Sequence, residues 1–203
     1  MRMRTLLVGS ILFGSATTAF ANLVTNGGFE DPLISSPFVF HVAGSTGING
    51  WTVTGNPGQG VDVVNGQNAG NLAYVHSGLQ SVDMAGSPGP GSIVQTLATT
   101  ANTMYDISFW VSSNGGFFAN SLSVEFDGVT LATLNSQPLG TWTQHSFTAM
   151  ATGASTDIKF HGLFGGNAGG LLDDVMVTES VPEPMTLALI APAALLLRRR
   201  RSR

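Results

Sequence analysis

Tyr105-Asp106-Ile107-Ser108-Phe109-Trp110-Val111 sets the reading of this chain. Tyr105, Ile107, Phe109 and Val111 recur at every second position. Asp106 and Ser108 fall between them, and Trp110 falls in the same outward phase. A period of two places one set on one face of a β-strand, so the first set points into a core and the second points out. Working outward, short runs of Val, Ile, Thr and aromatics recur, separated by Gly, Asn, Ser and Pro. They predict strands at 51–54, 61–64, 72–76, 80–84, 92–99, 104–112, 121–126, 129–134, 141–150, 157–160 and 171–178. Asp127-Gly128 supplies the positive φ angles of a tight hairpin turn between two of them. No helical periodicity occurs between Asn22 and Ser180. Eleven short strands without a helix predict an all-β, closed or double-sheet fold.

The two ends differ from this body. Arg2 and Arg4 precede an apolar run at 6–13, and Ala19-Phe20-Ala21 follows with small residues where a signal peptidase needs them. Residues 1–21 therefore read as a signal peptide. Between them, 22–180 reads as one domain and 181–203 as a separate tail. With both ends set aside, the body holds eleven acids and one base, Lys159, a net charge near −10. Such a surface repels nucleic acid, which needs clustered Lys or Arg to displace counterions. It repels anionic lipid too, and tolerates divalent cations. The chain has no cysteine. That excludes disulfide scaffolding, thiolate metal sites and cysteine nucleophiles.

The mature start, Asn22-Leu-Val-Thr-Asn-Gly-Gly-Phe-Glu-Asp-Pro32, resembles the first strand of galactose-binding-like jelly-roll domains. More narrowly, it resembles the bacterial choice-of-anchor C family and a related plant cell-wall domain of unknown function. GWTVTG at 50–55, VDVV at 61–64, SGLQSVDMAG at 77–86, GSIVQTLATTANTMYDISFWV at 91–111, TWTQHSFTA at 141–149 and LLDDVMVT at 171–178 follow in the same order. The resemblance implies a jelly-roll β-sandwich. The tail is similar to a PEP-CTERM sorting signal: Pro182-Glu183-Pro184, an apolar run, then Arg198, Arg199, Arg200 and Arg201. This implies an exosortase-type enzyme of Gram-negative bacteria as partner, and delivery to the cell surface or extracellular matrix. The apolar run at 185–197 contains Pro192 and is shorter than such tails usually are. As a helix its thirteen residues would span about 20 Å against roughly 30 Å of hydrocarbon. It suits transient rather than permanent anchoring, and membrane contact is expected only through this tail.

Within the body, Glu30 and the Asp173-Asp174 pair are the candidate metal ligands. In the galactose-binding-like sandwich the first and last strands lie close together, so carboxylates from both ends can share a structural calcium, which prefers oxygen donors. By period-two phase Asp173 shares a face with Leu171, Val175 and Val177, where a carboxylate is costly unless paired or bound. The bland alternative has Glu30 accepting turn amides and both aspartates solvated. Trp110, Phe117 and Phe118 are the candidate carbohydrate platforms, because sugars stack on exposed aromatic faces. Trp51 and Trp142 read as core. His41, His76, His145 and His161 are scattered, without metal-site spacing. No catalytic residue is assigned, since no nucleophile elbow is present and no two carboxylates can be brought together from sequence.

These observations predict an exported, non-catalytic surface or matrix protein that binds extracellular carbohydrate. The alternatives are a structural spacer without a ligand and, further off, a jelly-roll hydrolase or lyase.

Overall fold

The computed structural model describes residues 21–86, 88–116 and 121–180. Residues 1–20 of the expected signal peptide and the expected sorting tail, with Pro182, Glu183, Pro184 and the arginine cluster, lie outside these residues, as do Phe117 and Phe118. Among the described residues no helix is long and apolar enough to cross a membrane.

Among the described residues eleven strands form two antiparallel sheets. In chain order they are β1 (Phe38–Val42), β2 (Thr52–Thr54), β3 (Gly60–Asn65), β4 (Gln80–Asp83), β5 (Ser92–Ala98), β6 (Thr103–Ser113), β7 (Leu122–Phe126), β8 (Val129–Leu134), β9 (Thr143–Ala151), β10 (Ser155–Gly162) and β11 (Gly170–Glu179). One sheet has the order β1-β3-β4-β11-β6-β9, the other β2-β5-β10-β7-β8. The all-β jelly-roll sandwich expected from the sequence is what the chain adopts.

The stretch that set the reading lies at the centre. Tyr105, Ile107, Phe109 and Val111 are buried in the core between the sheets, and Trp110 points to the outer face of the six-stranded sheet. Phe109 of β6 meets Phe160 of β10 edge to face, with ring centroids 4.9 Å apart, so the two sheets are joined by aromatic contact as well as apolar area. Trp51 is buried against Phe29 and Phe160, and its indole N–H donates to the Asn26 carbonyl at 3.1 Å.

Three expectations are corrected. Residues 72–76 are not a strand: Leu72–Tyr74 is a single 3₁₀ turn, capped by the Asn71 side chain, which accepts from the Ala73 amide. The first strand is Phe38–Val42, which sequence reading passed over. The mature N-terminus forms no regular strand either. It runs beside β11, with Leu23 N donating to Val177 O at 2.8 Å and Val175 N to Gly27 O at 2.9 Å. The Asn22 side chain accepts from Val177 N and donates to Val175 O. This segment takes the place along β11 that β4 leaves vacant, because β4 pairs only with Leu171 and Leu172. Gly27 permits the approach, since a Cβ there would collide with the Val175 carbonyl.

Candidate functional site

A bulge in β11 brings the candidate carboxylates together. The register against β6 shifts between Asp173 and Met176, and Asp174 takes a φ of 50°. Leu172 pairs with Val111 and faces the core, whereas Asp173 pairs with Trp110 on the outer face. Beyond the bulge Val175 and Val177 return to the core. The expected common face of Asp173 with Val175 and Val177 is therefore wrong, because one inserted residue reverses the alternation.

Asp173 lies on an outer face, yet it is fully buried by the segment that leads into β4. Its Oδ2 accepts from the amides of His76 at 2.9 Å and Ser77 at 3.2 Å, and its Oδ1 accepts from Asp174 N at 2.8 Å. Asp174 Oδ1 accepts from the Ser77 hydroxyl at 2.8 Å, and its Oδ2 lies 2.6 Å from His76 Nδ1. Glu30 Oε1 accepts from the amides of Leu79 at 2.7 Å and Gln80 at 2.9 Å. Gly78, just before Leu79, has a φ of +60°, and a Cβ there would strike the Glu30 carboxylate. The structure thus brings all three expected residues onto one loop, 76–80.

Five of their six carboxylate oxygens accept hydrogen bonds within this knot. Among the described residues no group of three or more His, Cys, Asp or Glu side chains has the arrangement of a metal site. The donor set is arranged to hold amides, and it fits a calcium ion, which takes six to eight oxygens, poorly.

Trp110 is on the outer face, as expected from its phase, but it is half-buried. The His76 ring stacks on it at 3.9 Å between centroids and 16° between planes. Trp142 closes on the edge of His76 at 5.8 Å, and its indole N–H donates to Ala73 O at 3.3 Å. The two tryptophans thus pin the strap 72–80 across the sheet.

Beside the strap, the same outer face holds an open cleft of about 390 Å³, within the usual range of ligand pockets. Phe38 of β1, 61 % exposed, lies on one side and Tyr74 of the strap on another. Asp62 of β3 and the amides Asn68, Asn114 and Asn167 supply polar groups. Asp62 is paired across the strands with Asp83 of β4, which is buried behind the cleft. Asn114 is oriented by donating to Asp83 Oδ2 at 2.6 Å, while Asp83 Oδ1 accepts from Ala85 N and Gly169 N at 2.9 Å each.

Sequence reading missed this cleft. Its residues come from six separate segments, and its most exposed aromatic sits on the strand that was passed over. The signal available was the alternation of Phe38, Phe40 and Val42, whose side chains are exposed on the outer face rather than buried.

Burial pushes Asp83 up to about 6, reinforced by Asp62 and opposed by Asn114, Ala85 and Gly169. Burial and the charge of Asp174 push Asp173 up to about 8, against three amide donors. Among the described histidines, His76 pairs with Asp174, and His161 bridges Ser92 and Glu125 on the five-stranded sheet.

Comparison with known proteins places the chain. Residues 22–178 match the family described as protein of unknown function DUF642. The chain belongs to the DUF642 family. Over 186 residues this DUF642 chain is 31 % identical to halomucin of Haloquadratum walsbyi, matching 86 % of itself and spanning 2 % of that protein's length. Among solved structures it resembles TmCBM61 in complex with β-1,4-galactotriose, with a TM-score of 0.56 and 17 % identity, covering 79 % of this chain and 99 % of that one. It is also similar to the CBM22-1 xylan-binding domain of Paenibacillus barcinonensis Xyn10C, with a TM-score of 0.47 and 19 % identity over 70 % and 92 % of the two chains. The likeness to TmCBM61 shows a shared jelly-roll fold.

Two outcomes are expected. Glu30→Ala leaves the Leu79 and Gln80 amides without their acceptor and lowers stability in urea titration by about 2–3 kcal/mol, while Glu30→Gln keeps an acceptor oxygen and costs under about 1 kcal/mol. The pH profile follows from the raised carboxyls. Asp83 and Asp173 hold their protons more tightly folded than unfolded, so their stabilisation is complete below about pH 4 and is lost as pH rises through about 6 and then about 8. Melting temperature should therefore fall between pH 4 and 8. Asp83→Asn, with Asn114 turned to offer its carbonyl, should flatten the part of that fall below about pH 6.

Proposed function

We propose that this DUF642 chain is an exported, non-catalytic surface or matrix protein that binds carbohydrate in the cleft between Phe38 and Tyr74. The observation that carries this reading is the cleft itself. It pairs an exposed aromatic face with convergent amide and carboxylate groups, on a jelly roll like that of carbohydrate-binding modules. Sugar rings offer an apolar C–H face to an aromatic ring and hydroxyls to polar side chains, and a pocket with a few placed polar groups meets both needs. The amide knot supports the site mechanically, since it fixes the strap that carries Tyr74.

Phe38 replaces Trp110 and the pair Phe117 and Phe118 as the leading platform in this reading. Export rests on the sequence signals. The signal peptide directs secretion, and the PEP-CTERM-like tail hands the body to an exosortase-type enzyme. The similarity to halomucin accords with an extracellular setting.

Retention on immobilised polysaccharides checks the binding half, run in calcium and again in chelator. Phe38→Ala should weaken retention about tenfold, a loss of about 1.4 kcal/mol, with little change in melting temperature. Retention that required calcium would restore a cation to the Glu30, Asp173 and Asp174 cluster. Loss of all retention in both conditions would leave the structural-spacer reading. For the tail, the surface form should end near Pro184. Intact Arg203 in surface-located protein by mass spectrometry would rule out the discarded address.

A further inference from the structure

The lining of the cleft also bears on which glycans enter it. Resting on the carbohydrate-binding reading, we infer that the Phe38–Tyr74 cleft selects uncharged glycan segments and rejects uronate- or sulfate-bearing ones.

The first ground is the placement of cations. Among the described residues Lys159 is the sole lysine and there is no arginine. Lys159 lies on β10 between Ile158 and Phe160, which face the core, so it points out from the five-stranded sheet on the opposite side of the sandwich. The histidines do not supply the lack. None lines the cleft, and His76, the one on the adjoining strap, is held between Asp174 and Trp110. A carboxylate or sulfate is recognised tightly through charge-assisted bonds to Arg or Lys, and the described lining offers none.

The second ground is the charge that is present. Asp62 lines the cleft and Asp83 stands directly across from it on β4. An anionic sugar would bring a third negative group into a partly desolvated recess, where like charges repel more strongly than in water. The body's eleven acids against one base add a repulsive field around the entrance.

The third ground is a positive fit to hydroxyls. A carboxylate accepts hydrogen bonds, and a side-chain amide both donates and accepts. A sugar hydroxyl also does both, so Asp62, Asn68, Asn114 and Asn167 can satisfy uncharged polyols without a counter-ion. Asn114 is pre-oriented by its bond to Asp83, which lowers the ordering cost of engagement.

The test uses the full chain in affinity gel electrophoresis, in chelator, at low and moderate salt. Neutral galactan, xylan, mannan and β-glucan are run beside polygalacturonate, alginate and a sulfated galactan. Each uronate polymer is also run after chemical reduction of its carboxyls to alcohols. At least one neutral polymer should retard the chain ten-fold more strongly than any acidic one. Its binding should change less than two-fold with salt, and carboxyl reduction should raise binding where the backbone is accepted. Asp62→Asn, checked for folding by its melting curve, should narrow the neutral-to-acidic ratio several-fold. Acidic polymers bound as well as neutral ones would overturn the selectivity and leave carbohydrate binding standing. An unchanged ratio in folded Asp62→Asn would also overturn it, by removing Asp62 as the discriminating charge. Retention of no polymer of either kind would instead overturn the carbohydrate-binding reading. The wild-type panel decides the matter even where Asp62→Asn fails to fold.

Discussion

The capture of one loop by three carboxylates is the constraint on which the rest of this structure depends. Glu30 comes from the N-terminal segment and Asp173 and Asp174 from the last strand; Glu30 and Asp173 hold amides of residues 76–80, and Asp174 holds the His76 ring and the Ser77 hydroxyl. A sandwich of two sheets can form from apolar alternation alone, but nothing in that alternation keeps a polar strap lying across an outer face. The knot does so by giving buried backbone N–H groups strong acceptors, which they need once water is excluded. It also explains how a fully buried aspartate is tolerated: the group is desolvated, but its oxygens are occupied.

The position of the strap then divides the outer face of the six-stranded sheet. On one side it covers Asp173 and stacks His76 on Trp110, turning the most promising aromatic of the sequence into a packing surface. On the other it stops short of β1 and leaves Phe38, Asp62 and Asn114 facing a cleft. Site and scaffold are thus linked through a bulge. Without the inserted residue at Asp174, the alternation of β11 would not reverse, and Asp173 could not face the strap while Val175 and Val177 face the core.

Much of this was legible in the residues, for identifiable reasons. Ten of the eleven strands coincide with runs of Val, Ile, Thr and aromatics bounded by turn residues, and in β6, β7 and β9 the burial alternates with a period of two. Phe109 was readable as core from its phase and Trp51 from the resemblance, which misplaced Trp142, half-buried against the strap. Asp173 was singled out because an acid among apolar strand residues demands partners, and Glu30 and Asp174 because the resemblance brings the two ends of the domain together. The choice between partners was not readable: turn amides for Glu30 and a shared cation both fitted the residues. Backbone amides carry no sequence signature, so a knot closed by the N–H groups of residues 76–80 looks, in one dimension, the same as a cation site. Residues 72–76 misled for a related reason: Leu72, Tyr74 and His76 alternate like a strand, while Asn71 caps a tight turn instead.

By itself, the sequence determined an all-β, cysteine-free, strongly acidic body, and its ordered motifs carried the resemblance that implied a jelly roll. The strands, the missing cysteines and the acidity are properties of composition and local period, carried by neighbouring residues; the jelly roll came from the resemblance alone. Only the tertiary structure decided which aromatics are covered and which are open. Phe38, Asp62, Asn68, Tyr74, Asn114 and Asn167 become one cleft because β1, β3, the strap and the loops flanking β6 and β11 meet on a single outer face. The physical reason is the range of the interactions: alternation acts over a few residues, whereas a carboxylate accepting an amide 97 positions away acts only once the chain has folded back on itself.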